Sequence, residues 1–124
     1  MEFEKKDYEL FYDKVISDYK IGVTNGQEIG EAISKLAQYF GKYNLDFART
    51  EILYNRKIKE FEDSVDEVGK SLSSAKALSK ANGSMEYADF RIAKAHVSNI
   101  EQYINSMKSL QKGILNEYSH MGNS

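Results

Sequence analysis

The chain has 124 residues, a formal net charge of −2, 41% hydrophobic and 29% charged residues. That is enough for one modest core and too apolar for wholesale disorder. The near-neutral balance removes the strongly basic total that would point to nucleic acid at once.

Cysteine is absent, which excludes disulfides, thiol catalysis and cysteine-ligated metals. Proline is absent as well. A chain of this length would ordinarily hold about six, and a mostly helical protein is the class that avoids a residue that breaks helix interiors. The first residues, Met1-Glu2-Phe3-Glu4-Lys5-Lys6, lack the apolar stretch of a secretory signal, and no run is long enough for a membrane span. A cytoplasmic protein with no membrane role is the expectation.

Residues 2–20 space Phe3, Tyr8, Phe11, Tyr12, Val15, Ile16 and Tyr19 by three, four and seven, which predicts an amphipathic helix. Gly22 stops it. Thr24 with Gln27, or Asn25 with Glu28, supplies a capping box for the next helix. That second helix places Ile29, Ile33, Leu36, Ala37, Phe40 and Tyr43 on one face, weakens at Gly41, and leaves Asn44 to cap the third.

A long third helix is predicted over 45–81, with Ile58, Phe61, Val65, Val68, Leu72 and Ala75 in the three-four alternation of a coiled-coil seam. A fourth runs over 85–118 on the stripe Met85, Ala88, Ile92, Ala95 and Asn99, then Tyr103, Met107, Leu110 and Ile114. Between them, Ala81-Asn82-Gly83-Ser84 reads as a tight reversal. Asn and Gly tolerate left-handed backbone there, and Ser84 is placed to cap the fourth helix.

Together these predict an all-α fold: a long antiparallel hairpin over 45–118 with its tip near 81–84, and two shorter N-terminal helices over 1–44 packed at its open base. The whole of 1–124 forms one four-helix domain, with 119–124 as a flexible tail. Folding the arms about the tip sets Phe61 against Ile104, Val65 against Ile100, Gly69 opposite His96 and Gly113 opposite Ile52. Each glycine then makes room for a bulky neighbour or marks a bend. Alanines 75, 77, 81, 88, 93 and 95 make the stalk thin, while Phe47, Tyr54, Phe61, Tyr103 and Tyr118 gather at the base. A two-helix stalk leaves apolar surface uncovered, which predicts self-association ahead of any other partner.

Motifs for chemistry are sparse. Of the two histidines, His96 lies mid-helix beside Val97 and reads as a packed side chain. Glu117 and His120 match the Glu-x-x-His spacing of di-metal bundles, but in one copy where such a site needs two and further glutamates. Asp63 and Glu67, one helical turn apart in an acidic run, could hold a cation, yet such runs ordinarily mark a solvated face. No phosphate-binding glycine loop or nucleophile elbow is present. Neither catalytic residues, nor a metal site, nor a cofactor is therefore expected, and the protein reads as no enzyme.

Charge distribution says more than its total. Lys70, Lys76, Lys80, Arg91 and Lys94 make the stalk mildly basic, while earlier residues are net acidic. Near the tip, Lys80, Met85, Tyr87, Phe90 and Arg91 interleave cations with exposed-looking aromatics, a composition that suits a protein-binding hot spot. The same cations, led by Lys70, Lys76, Lys80, Arg91 and Lys94, would alternatively track a phosphate backbone with bases stacked on the rings. A lesser alternative is a small anion held between subunits by Arg49, Arg56, Lys57 and Arg91.

Residues 99–113, Asn99-Ile100-Glu101-Gln102-Tyr103-Ile104-Asn105-Ser106-Met107-Lys108-Ser109-Leu110-Gln111-Lys112-Gly113, resemble stretches of small helical proteins from tailed-phage genomes. The resemblance implies a phage or prophage setting, in the cytoplasm of the host, where small proteins without enzymatic motifs bind host machinery or assist viral DNA metabolism. It carries over no functional residue. The expected function is a self-associating helical interaction protein that engages a macromolecule through the tip, or a nucleic-acid-binding accessory factor.

Overall fold

The computed structural model describes residues 4–122, with side chains described through residue 117. The fold is all-α, with four helices among the described residues: α1 (Asp7–Lys20), α2 (Gly26–Glu62), α3 (Ser74–Ala81) and α4 (Met85–Gly122). No described helix is long and apolar enough to cross a membrane.

Local chemistry sets the helix ends. The Glu9 carboxylate accepts from the Lys6 backbone N–H at the start of α1. Gly22, at φ 79°, closes that helix in the left-handed region that glycine enters without penalty. At the start of α2, Asn25 Oδ1 accepts from the Glu28 N–H at 2.9 Å, which is the N-cap half of one of the two expected capping boxes. Ser73 caps α3 and Ser84 caps α4 through their hydroxyl oxygens. The reversal at 82–84 closes through Gly83 and Ser84 N–H groups donating to Lys80 and Ala81 carbonyls, and Gly83 stays out of the left-handed region.

Element boundaries differ from the sequence expectation in three places. Gly41 and Asn44 do not break the chain, so the predicted second helix and the first half of the third are the single α2. One glycine costs only about 1 kcal/mol in a helix interior, too little to end a helix with apolar contacts on both sides of it.

The predicted third helix instead ends at Glu62, and a loop replaces its later seam. Asp63, Ser64, Val65, Asp66, Val68 and Gly69 are all poor helix formers, and the loop offers their backbone other partners. Ser64 Oγ donates to the Phe61 carbonyl, Asp66 Oδ1 accepts from the N–H groups of Val68 and Lys70, and Gly69 turns at φ 84°. A single bridge joins Val65 to Ser71. Val65 and Val68 are exposed and Leu72 is buried, so only part of the predicted seam packs. At the other end, α4 runs on to Gly122 through most of the expected tail; residues 123–124 lie outside the described residues.

The chain forms two compact units, Met1–Gly41 with Ser98–Ser124, and Lys42–Val97. In the first, Ile29, Ala32, Leu36 and Met107 are the buried core. Phe11, Tyr12, Val15 and Ile16 of α1 cover it, as do Tyr103, Ile104 and Leu110 of α4. Tyr8 is fully buried, and Tyr12 lies flat on Tyr103 with ring centroids 3.9 Å apart. Each fully buried side chain of this size stabilises by about 1.5–3 kcal/mol, so α1 is held by its apolar stripe as the periodicity predicts.

In the second unit the buried residues are Tyr54, Leu72, Ala77, Ala81, Ala93 and Val97. Within this unit the expected facing of Gly69 and His96 is replaced by another register. Tyr43 meets His96, Phe47 meets Phe90, and Tyr54 meets Tyr87. The loop takes up the chain that would have continued the arm, which moves the α2–α4 pairing toward lower numbers. Neither Gly69 nor Gly113 makes room for a large group, since an added Cβ would meet nothing within 4 Å at either position.

Candidate interaction surface

The surface of interest belongs to the second unit and is built on α4. Its first three turns carry two apolar stripes. One is Tyr87, Phe90, Ala93 and Val97; the other is Met85, Ala88, Ile92 and Ala95. Only one can face inward. The first does: Ala93 and Val97 are buried, and Tyr87 and Phe90 are half-buried in ring contacts. An aromatic side chain brings about 150–250 Å² of burial, so two of them outweigh a methionine, an isoleucine and alanines. The predicted seam Met85-Ala88-Ile92-Ala95 consequently points outward. Met85 is 76% exposed and Ile92 54%.

This corrects the reading of Tyr87 and Phe90 as exposed tip residues. Phe90 stacks on Phe47 at 5.4 Å and on Tyr54 at 5.2 Å, and Tyr54 also touches Tyr87 at 5.1 Å. The Tyr54 hydroxyl donates to Asn82 Oδ1 and so ties α2 to the α3–α4 reversal. Phe47 and Tyr54, expected to gather with Tyr103, belong instead to this cluster. Arg91 lies over the Tyr87 ring at 5.9 Å, a contact that holds its guanidinium near the surface of the cluster. Of the five expected contact residues, Lys80, Met85 and Arg91 are exposed, while Tyr87 and Phe90 are half-buried.

The alternative set, Lys70, Lys76, Lys80, Arg91 and Lys94, is exposed throughout. Lys76 and Lys80 stand one turn apart on α3 and line a groove of about 360 Å³ with Val68, Leu72, Asp66 and Glu67. Two carboxylates in that groove oppose a phosphate backbone. Of the small-anion set, Arg49, Arg56 and Lys57 lie on α2 and Arg91 on α4; Lys57 pairs with Glu60 at 3.2 Å and covers Phe61, Arg49 approaches Asp46 at 3.9 Å, and Arg91 sits on Tyr87.

His96 packs half-buried against Tyr43, ring centroids 5.6 Å apart. The loop removes the helical relation between Asp63 and Glu67. No group of three or more potential metal ligands occurs among the described residues, and the His120 side chain lies outside them. Sequence reasoning overlooked one set of residues here: the exposed face of α2 that carries Leu45, Ile52 and Leu53. The seven-residue spacing of Leu45 and Ile52 was its signal.

Comparison with protein-family models, with curated proteins and with solved structures finds no match.

Proposed function

We propose that the protein is a non-enzymatic, self-associating helical interaction protein of the cytoplasm, which engages a macromolecule through α3–α4 surfaces. The observation that carries this reading is the outward stripe Met85, Ala88, Ile92 and Ala95. It has coiled-coil spacing and apolar chemistry, and it lies solvent-exposed. Asp89 and Arg91 on its borders are one acid and one base, so no charge excess opposes a second copy of the chain. The exposed Lys80, Met85 and Arg91 at the α3–α4 reversal extend the same surface toward a further partner. The phage-like stretch 99–113 supports a host or viral macromolecule as that partner.

Light scattering on the purified chain tests this. Wild-type protein at tens of micromolar should exceed its monomer mass, and a Met85→Glu/Ile92→Glu variant should fall to it with its helical circular dichroism intact. A wild-type monomer at that concentration overturns the reading.

A nucleic-acid role through Lys70, Lys76, Lys80, Arg91 and Lys94 is the second reading, supported by their exposure. Duplex binding that fails on charge reversal of these residues would select it.

A further inference from the structure

Within the second unit, α2 turns Tyr43, Phe47 and Tyr54 toward their ring partners on α4. Its opposite side keeps Leu45 64% exposed and Ile52 53% exposed, one heptad apart. Beside them run Lys42, Arg49 and Arg56, also seven residues apart and all exposed. Seven residues are close to two helical turns, so successive cations stand about 10 Å apart in a row along the helix. Lys42, Tyr43, Leu45, Asp46 and Arg49 line a groove of about 280 Å³ at the start of this row. Lys42 lies over the Tyr43 ring at 5.4 Å, Asp46 stands 3.9 Å from Arg49, and Glu60 pairs with Lys57. Exposed ion pairs of this kind contribute little and leave Arg49 and Lys57 available.

We propose that this face of α2 docks an acidic amphipathic helix of another protein. The incoming helix lays its apolar seam on Leu45 and Ile52 and sets one carboxylate per heptad against Lys42, Arg49 and Arg56. Charge and spacing select this occupant. A second copy of the chain brings the same cations: antiparallel, the two rows face each other. In a parallel pair Glu51 can meet Arg56 of the partner subunit, while Lys42 and Arg49 gain no acid. A nucleic-acid backbone answers the cations but offers nothing apolar to Leu45 and Ile52. A lipid surface offers both without a repeat, and amphipathic helices held in bilayers carry a broader apolar face than two side chains. A partner helix reproduces the two-turn repeat itself.

This goes beyond the self-association reading, on a different helix, and its test keeps the two apart. The probe is a synthetic three-heptad helical peptide with leucine along its seam and glutamate along one flank, titrated against the full chain by fluorescence anisotropy. A twin carries glutamine for glutamate. The acidic peptide should bind, should weaken about tenfold between low and moderate salt, and should outbind its twin. An Arg49→Glu/Arg56→Glu variant should lose the acidic peptide and gain a lysine-flanked one, while its mass by light scattering matches wild type. Equal binding of the two peptides, no recovery with the lysine-flanked peptide, or uptake of duplex DNA or phosphatidylserine vesicles in preference to the acidic peptide overturns the proposal.

Discussion

Tyr54 of α2 lies on Phe90 of α4, with ring centroids 5.2 Å apart and planes 14° from parallel. The same tyrosine, only 9% exposed, donates its hydroxyl to Asn82 at the α3–α4 reversal. One side chain thus joins three elements of the second unit, through ring area on one side and a polar tip on the other.

Removing the ring area should cost more than removing the tip. Phe90→Ala is expected to destabilise by about 3 kcal/mol, since it deletes contacts with both Phe47 and Tyr54. Tyr54→Phe keeps the stacking and loses one hydrogen bond, about 1 kcal/mol. Urea unfolding of the two variants measures the difference. A larger loss for Tyr54→Phe would assign the stability to Asn82 instead.

The glycines sort by backbone conformation. Gly41 and Gly113 are helical with open space where a Cβ would stand. Alanine at either should raise stability by about 0.5–1 kcal/mol. Gly69 also has open space, but at φ 84°. Gly69→Ala should therefore destabilise by about 1 kcal/mol through backbone strain alone. Thermal melts of the three single variants should move in these opposite directions.

Asp66 organises the loop that ends α2. Its Oδ1 accepts from two backbone N–H groups at 2.9 Å each. Asp66→Ala should cost about 1–2 kcal/mol and open the loop selectively. Hydrogen exchange at the Val68 and Lys70 amides should accelerate while α1 amides stay protected. Unchanged exchange at both would show that Gly69 and the Val65–Ser71 bridge hold the loop without it.

Alkaline pH should loosen the first unit. Burial pushes the Tyr8 and Tyr103 phenols above their usual range, with partial relief at Tyr8 from a hydrogen bond with Asn99 and reinforcement at Tyr103 from Glu9 and Asp13. A raised pKa means that the folded state binds the phenolic proton more tightly than the unfolded chain. The stabilisation is complete below the unfolded tyrosine value, about 10, and is lost as pH rises through the folded values. Lys5, raised by its contact with Asp13, contributes with the same sign. Stability should stay level up to that value and then fall, and a Tyr103→Phe variant should fall less steeply. Denaturant midpoints recorded across this range decide it.

What the sequence determined by itself is what neighbouring residues settle among themselves. The helical character that goes with the absence of proline, the apolar stripe of α1, the Asn25 cap and the Ser84 cap after the 81–84 reversal all act within a few residues, and each is present in the fold. Tertiary structure decided where local signals compete. Gly41 could have ended a helix, but core contacts at Leu36 on one side and Tyr54 on the other outweigh one glycine. The three-four alternation continued through Val65 and Val68, yet the Asp66 carboxylate and Gly69 offered that backbone a turn. Most consequentially, α4 carries two apolar faces, and spacing alone ranks them equally. The face with Tyr87 and Phe90 went inside because Phe47 and Tyr54 were there to receive it, which left Met85 and Ile92 facing outward.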